Sequence, residues 1–270
     1  MKIRRITLVI LLLLSALFVA DIRYFGGRSS TKQPSIHFDV SSRMREWAVE
    51  RDESFVHSQA DITSLALYGQ HGMIELRNGD TDQIVVQATI GADDEEILEQ
   101  FEVKETRLGS ELRYELSEEK TQGLPEVALS LIVEVPAGME VHIQQNFGRV
   151  RVHGFRGFLS LQANFSEVMV GDLQGTADIQ SSFSVLDLRK IAGPLTLNDS
   201  FSTTKIELVA VDGGYDFDLN VNNGTLKNNA GLQLDVADNS MTGRGQWGEG
   251  LHPIVIRSSF GSVTLHLNEK

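Results

Sequence analysis

The 270-residue sequence contains no cysteine, which excludes thiol catalysis, cysteine-ligated zinc, disulfide bonds and a lipid-attachment cysteine. Its five prolines are too few for a collagen-like or proline-rich disordered chain. Basic residues are also scarce, with 24 lysines and arginines against 37 aspartates and glutamates and a net charge of −13. Because a nucleic-acid-binding protein needs a basic surface to displace counterions, we expect no nucleic-acid partner.

Motifs that could bind a cofactor or a metal are weak. Gly243–Gly248 matches the GxGxxG pattern, but the glycine and proline residues that follow it exclude the helix that a dinucleotide site needs. We predict instead a flexible loop in which an exposed Trp247 could contact a sugar or a partner protein. None of the seven histidines forms an HExxH pair, and His142 and His153 are the two that could come near each other.

Acidic residues offer no clearer catalytic pattern. Gly213–Asp218 resembles one calcium-binding nonapeptide, but it does not repeat, so it predicts a turn followed by a strand. Asp172, Asp187 and Asp218 are the candidate carboxylates if the protein cleaves polysaccharides, since such enzymes use acidic side chains on one face of the fold. We predict no catalytic, cofactor-binding or metal-binding residues and a protein that is not an enzyme.

Long hydrophobic runs are absent except at the N-terminus. Lys2, Arg4 and Arg5 precede the apolar run Ile6–Ala20, whose 15 residues span about 22 Å as a helix, short of the ~30 Å hydrocarbon core. That length suits a signal peptide, but cleavage after Ala20 would put Phe18 at a position where a small residue is required. We predict an uncleaved single-pass membrane anchor helix over residues 1–25, with the rest of the chain in the periplasm or on the cell surface.

The next two segments differ in pattern. Residues 26–60 predict a polar linker and a weakly patterned stretch, with one short strand near Ile36–Val40. Residues 61–138 predict a small N-terminal β region. We expect it to contain one short helix, Asp93–Gln100, and a hairpin of Phe101–Leu108 and Glu111–Leu116.

Residues 139–270 carry a repeat of 18 residues. Phenylalanines recur at this interval, at Phe147, Phe165, Phe183 and Phe201, and each follows an asparagine or a serine. Short alternating apolar pairs within each unit have strand spacing, so the pattern predicts a β-solenoid and an all-β protein. We expect the phenylalanines to stack in the interior, the asparagines and serines to form a hydrogen-bonded ladder at a corner, and the repeated glycines, Gly157, Gly175 and Gly193, to lie at corners with unusual backbone angles.

The segments Leu131–Ile143 and Gly148–Val152, followed by further short repeats, resemble the putative-adhesin β-strand-repeat family. That family consists of bacterial cell-envelope domains of largely unknown function. The resemblance covers roughly residues 60–270 and implies the repeat fold, but it supplies no catalytic residues.

Together these features predict a non-catalytic, extracytoplasmic, membrane-tethered adhesin-like module of the bacterial cell envelope. Its expected partners are the membrane, through the N-terminal segment, and an envelope glycan or envelope protein. An accessory or scaffold protein in envelope-stress signalling is the alternative, and a polysaccharide-active β-solenoid enzyme is the second alternative.

Overall fold

The computed structural model describes residues 47–118 and 127–268. The predicted anchor over residues 1–25, the start of the linker and the predicted strand near Ile36–Val40 lie outside the described residues. Within the described ranges, none of the helices has the length and apolar character needed to cross a membrane.

The described residues are almost entirely β, as the sequence predicts, and form two large sheets. The first sheet has ten strands, in the spatial order β1 (Val49–Ser58), β4 (Gln83–Ala92), β7 (Val127–Val135), β3 (Met73–Asn78), β9 (Arg149–His153), β11 (Glu167–Gly171), β13 (Val185–Ile191), β15 (Thr203–Val209), β21 (Ser262–Asn268) and β17 (Thr225–Asn228). The second sheet has eleven, in the order β18 (Leu234–Ala237), β19 (Ser240–Trp247), β16 (Tyr215–Asn222), β20 (His252–Ser259), β14 (Leu195–Ser200), β12 (Gln174–Ser182), β10 (Arg156–Asn164), β8 (Glu140–Asn146), β2 (Ser64–Gln70), β6 (Glu111–Glu118) and β5 (Phe101–Leu108).

The 18-residue period of the sequence sets the register of the strand pairs, because residues 18 positions apart pair between neighbouring strands. Arg156 pairs with Gln174 between β10 and β12, and Glu167 pairs with Val185 between β11 and β13, in both cases in parallel. Each repeat gives one strand to each sheet, and alternate side chains point inward. The apolar members of each repeat, such as Leu161 of the second sheet, therefore form one continuous buried core.

The order of stacking differs from the order along the chain. The last strand pair, β20 and β21, lies between β14–β15 on one side and β16–β17 on the other. Ile254 of β20 pairs in parallel with Leu195 and also with Phe217. The periodicity of the sequence does not predict that β20 and β21 insert between earlier repeats, because every repeat presents similar strand edges to its neighbours.

Antiparallel strands lie at one end of both sheets and at the other end of the second sheet, where the first sheet ends with the parallel strand β17. One end carries the hairpin of β5 and β6, as predicted, together with β1 and β4, and the other carries β18 and β19. The predicted helix is present but shorter, at α1 (Glu95–Leu98), where the Asp94 side chain accepts from the Ile97 N–H at 2.8 Å. A 3-10 helix spans Gln59–Asp61.

Strand β1 has no counterpart in the sequence prediction, which assigned a weak pattern to this stretch. Four consecutive charged residues, 50–53, interrupt the apolar alternation of Val49–Ser58, and its side chains alternate between half-buried and exposed. Such a composition is typical of an edge strand, where charge discourages pairing with other chains. Its pairing with β4, rather than its own hydrophobic pattern, makes it a strand.

Gly157 and Gly175 are the second residues of β10 and β12, and Gly193 lies two residues before β14, because the backbone of the neighbouring repeat passes too close there for a side chain. A Cβ on Gly175 would lie 2.1 Å from the carbonyl oxygen of Gly157, and one on Gly193 would lie 2.2 Å from that of Gly175. The predicted unusual backbone angles are present at Gly175 and Gly193, with φ values of 151° and 134° that L-residues rarely adopt, but not at Gly157.

The phenylalanines stack, but the prediction that they stack in the interior is wrong. Phe147, Phe165, Phe201 and Phe260 are 43–52% exposed and lie outside the corner between the two sheets. Their positive φ values, 51–57°, turn each side chain outward. The inside of the same corner is filled by small serines, among which Ser184 is 3% exposed and accepts from the Ser166 N–H at 3.1 Å.

Candidate functional site

A stack of aromatic rings runs along one corner of the structure. We call Phe147, Phe165, Phe183, Phe201 and Phe260 the Phe ladder. Neighbouring ring centroids are 4.9–5.0 Å apart, and the angles between ring planes are 2–9°. Because each ring face is covered by the next ring, the ladder presents mainly ring edges to solvent.

The ladder combines backbone strain with aromatic stacking. A non-glycine residue in the left-handed region costs roughly 1–2 kcal/mol, and all five phenylalanines adopt it. Each aromatic contact contributes about 0.5–1.5 kcal/mol, so the rings offset much of this strain. His71 extends the arrangement at one end, with its ring 5.3 Å from that of Phe147 and a φ of 58°.

Beside the ladder, on the outer face of the second sheet, lies a column of short polar side chains, which we call the Asn column. Asn164 Nδ2 donates to Asn146 Oδ1 at 3.0 Å, and Ser182 Oγ donates to Asn164 Oδ1 at 2.6 Å. These bonds confirm the predicted ladder for Asn146, Asn164 and Ser182. The strand register places the following residues in the column: Gln70, Asn146, Asn164, Ser182, Ser200, Ser259 and Asn222.

A second polar column follows two residues away on each strand. We call Gln144, Gln162, Gln180 and Asn198 the amide column, and the pairing of β8, β10, β12 and β14 places them side by side. Within the described ranges their side chains make no hydrogen bond to the protein, unlike those of Asn146 and Asn164. Their donors and acceptors therefore remain available to a ligand.

The two columns line a shallow groove of about 390 Å³. It is bordered by three members of the amide column and five of the Asn column, together with four further residues. The lining residues are Gln162, Gln180, Asn198, Asn164, Ser182, Ser200, Ser259, Asn222, Ser181, Asp199, Arg257 and Ser258.

Charged side chains on this face include Asp178 of β12, two residues before Gln180, and the pair of Arg257 and Asp218 at one end of the groove. Arg257 pairs with Asn198 in the sheet register and donates to the Asp218 carboxylate and, at 2.8 Å, to the Asp218 carbonyl. The Arg257 guanidinium holds the pKa of the Asp218 carboxyl below its usual value. The outer face of the first sheet also carries ion pairs, such as that of Arg149 with Glu167 at 2.7 Å.

An acid is buried beside the groove. Asp199 is 6% exposed, its Oδ2 accepts from Thr204 Oγ1 at 2.7 Å, and its Oδ1 has no hydrogen-bond partner among the described residues. Burial raises the pKa of the Asp199 carboxyl, and the neighbouring Ser258 and Thr204 hydroxyls oppose this only in part. Sequence reasoning missed this residue, although an available signal was an acid at the inward repeat position that Ala163 and Ser181 occupy in the preceding units.

Trp247 does not lie in a flexible loop, so that prediction is wrong. Gly243 and Gly245 belong to β19, which pairs antiparallel with β16. Trp247 is partly buried against the core, with its ring 6.1 Å from that of Tyr215. A dinucleotide site needs a strand, a turn and a helix, whereas the GxGxxG pattern here lies along a strand and therefore lacks that geometry. Contact between Trp247 and a partner stays a prediction.

The two candidate histidines lie on different sheets. His142 belongs to β8 and is 3.1 Å from a Glu140 carboxylate oxygen, whereas His153 ends β9 and is 3.6 Å from Asp172. Across residues 47–118 and 127–268, no group of three or more histidines and acids is arranged to hold a metal ion.

The three candidate carboxylates each face a basic side chain. Asp172 is 3.1 Å from Lys190, Asp187 pairs with Arg189, and Asp218 pairs with Arg257. They are not brought together as a carboxylate pair, because Asp187 is on the first sheet, Asp218 is on the second and Asp172 follows the end of β11. The stretch from Gly213 to Asp218 is a turn leading into β16, as predicted.

No family model and no curated protein matches the chain. Solved structures do. The chain is similar to structures that are named putative adhesins, in agreement with the family that the sequence resembles. A putative cell adhesion protein from Clostridium sporogenes is 11% identical, with a TM-score of 0.40, over 82% of this chain and 100% of that one. A putative adhesin from Bacteroides fragilis is 12% identical, with a TM-score of 0.40, over 81% and 97%.

A further similar structure is named a putative lipid-binding protein, from Parabacteroides distasonis. It is 10% identical, with a TM-score of 0.31, over 80% of this chain and 96% of that one. At such identities and TM-scores these names say nothing of the ligand of this chain, and we argue its function from its own residues.

Proposed function

We propose that the protein is a non-catalytic interaction module of the bacterial cell envelope. The stacked 18-residue repeats are interpreted as a β-solenoid rod, the N-terminal segment as its membrane tether, and the outer face of the second sheet as its binding surface. The observation that carries the proposal is the amide column, Gln144, Gln162, Gln180 and Asn198, whose side chains are aligned at one per strand and unused within the fold.

The contrast between the two polar columns supports a binding role for one of them. Asn146, Asn164 and Ser182 bond to one another and stabilise the corner. Gln162 and Gln180 are exposed and point away from the core, so their amides contribute little to folding. A repeated, solvated array of one side-chain type on a rigid sheet is typical of an extended recognition surface.

The membrane tether and the location outside the cytoplasm rest on the sequence. Lys2, Arg4 and Arg5 before the apolar run Ile6–Ala20 favour an orientation with the β domain outside the cytoplasm. A reporter enzyme that is active only outside the cytoplasm, fused after Lys270, tests this topology. We expect activity from the full chain and none after Leu12→Arg and Leu14→Arg in the apolar run. An active reporter in that variant, or an inactive one in the parent, contradicts the proposal.

The binding surface is tested by site-specific crosslinking in cells. A photo-reactive amino acid replaces Gln180 in the amide column, and the matched control replaces Lys205, which is exposed on the outer face of the first sheet. We expect crosslinked envelope material from position 180 and little from position 205. Equal crosslinking at both positions contradicts the assignment of the face, and recovery of one membrane protein at position 180 supports the scaffold alternative.

A further inference from the structure

We infer that the amide column binds an uncharged polysaccharide chain that runs along the stack, across the strands. This inference rests on the proposed function and names the chemical class of its ligand. Its starting point is the alignment of Gln144, Gln162, Gln180 and Asn198 at equivalent positions of four adjacent strands.

The geometry of the column favours an extended ligand. Adjacent strands are about 4.8 Å apart, so four amides in register span roughly 14 Å along the stack. The groove beside them continues past Asn198 to Arg257 and Asn222. A polymer lying along this line meets a new amide at each strand, whereas a small molecule meets only one or two of them.

Hydrogen-bonding chemistry favours hydroxyl groups on that polymer. A side-chain amide has two N–H donors and one acceptor oxygen, and a sugar hydroxyl both donates and accepts, so every amide of the column finds partners on a glycan. An apolar surface such as a lipid chain would bury these amides without hydrogen-bond partners, which is unfavourable. The Phe ladder borders the Asn column, so the apolar ring edges of Phe165 and Phe183 lie along one side of the groove. There they can contact the C–H groups of the sugar.

Electrostatics favours an uncharged chain over an anionic one. The sequence carries a net charge of −13, which repels polyanions. Among the residues that line the groove, Arg257 is the cationic one, and its guanidinium already donates to the Asp218 carboxylate. Gln162, Gln180 and Asn198 have no charge to offer a phosphate or a carboxylate.

Affinity electrophoresis and calorimetry of the purified full chain test the inference. The probes are six-residue oligosaccharides of N-acetylglucosamine, glucose and mannose, and two anionic polymers, polygalacturonate and poly(glycerol phosphate). We expect binding to at least one uncharged probe, with an affinity that changes less than two-fold between low and high salt, because screening acts on charges. Binding to the anionic polymers alone, weakened by salt, overturns the inference, as does the absence of binding to every uncharged probe.

Variants assign the binding to the column. The double substitution Gln162→Ala and Gln180→Ala removes two amides, and we expect it to weaken binding roughly ten-fold or more. The matched control, Gln87→Ala and Gln174→Ala, removes two exposed amides outside the column and should leave the affinity unchanged. Equal loss in both variants overturns the assignment. If position 180 crosslinks to a protein in cells while no uncharged glycan binds, the glycan inference fails and the interaction module stands; if neither happens, both fail.

Discussion

The ring of Phe165 lies 4.9 Å from the ring of Phe183, with 2° between their planes, although the two residues are 18 positions apart and both are held in the left-handed backbone region. The contact lies on the outside of the molecule, so it does not arise from filling a core. The aromatic stack lies at a corner next to the polar columns. The contacts that stabilise neighbouring repeats therefore lie beside the surface that we propose as the binding face.

Removing a ring from the middle of the Phe ladder should destabilise the fold more than removing one from its end. Phe183→Ala deletes the contacts with Phe165 and Phe201 and leaves a non-glycine residue at φ 52°. We expect a loss of about 1–3 kcal/mol in the free energy of unfolding in urea. Phe260→Ala loses one ladder contact, that with Phe201, and should cost about half as much. Equal losses would show that the stack does not contribute through neighbouring pairs.

Gly175→Ala should be far more damaging than alanine at a solvent-exposed turn. Its Cβ would lie 2.1 Å from the Gly157 carbonyl oxygen, so the two repeats must separate, and we expect a loss of roughly 3 kcal/mol or more. Gly109→Ala is the matched control, because Gly109 has a φ of 65° but nothing within 4 Å of the added Cβ. It should cost about 1 kcal/mol, measured by the same urea titration. A similar cost at both positions would contradict the close approach of the repeats.

Asp199→Asn should stabilise the protein at neutral pH. Burial raises the pKa of this carboxyl above its ordinary value of 3.8, so between that value and the raised one the folded state binds more protons than the unfolded state. The wild-type protein therefore loses stability as the pH rises through this window, and the amide variant does not. The measurement is the difference in unfolding free energy between variant and wild type from pH 3 to pH 8. A difference that does not vary with pH contradicts the prediction.

Asp218→Asn should change the free energy of unfolding at neutral pH in the opposite direction to Asp199→Asn. Because hydrogen bonds from Arg257 lower the pKa of Asp218, its stabilising contribution is present above the unfolded value and is lost as the pH falls through the lowered one. The variant should be less stable than wild type at neutral pH and should approach it in acid. We expect this effect to be the smaller of the two, since the Asp218 side chain is 39% exposed and solvent screens the pair. The same sign for both aspartates would refute the electrostatic assignment.

A hydrogen-bonded cluster should stabilise the end of the stack that carries β1, β5 and β6. Tyr114 is fully buried on β6, and its hydroxyl donates to Glu105 of β5 at 2.9 Å and lies 2.9 Å from His57 Nε2 of β1. Tyr114→Phe leaves two polar groups without this partner, and we expect a loss of about 1–2 kcal/mol in urea unfolding. Tyr68→Phe is the control, because the Tyr68 hydroxyl makes no hydrogen bond within the described ranges, and it should change stability little. Equal effects would mean that the cluster contributes nothing specific.

Several features could be predicted from the sequence alone because they depend on local spacing. The 18-residue recurrence of Phe147, Phe165, Phe183 and Phe201 indicates repeats, and alternation within each repeat indicates strands, so the all-β class and the strand register follow. The asparagine or serine before each phenylalanine predicts the corner ladder, whose bonds join Asn146, Asn164 and Ser182. The hairpin around Gly109 follows from a turn between two alternating segments.

Other features were decided only by the tertiary structure. Hydrophobicity places phenylalanine inside, but the backbone at each corner turns it out, and serines occupy the interior because two sheets meet there at close range. Strand β1 exists because β4 offers it an edge, and β20 enters between β14 and β16 because similar repeats present similar edges. The same packing buries Asp199 and aligns Gln162 with Gln180 on one face, so the proposed site exists only when repeats distant in sequence become neighbours in space.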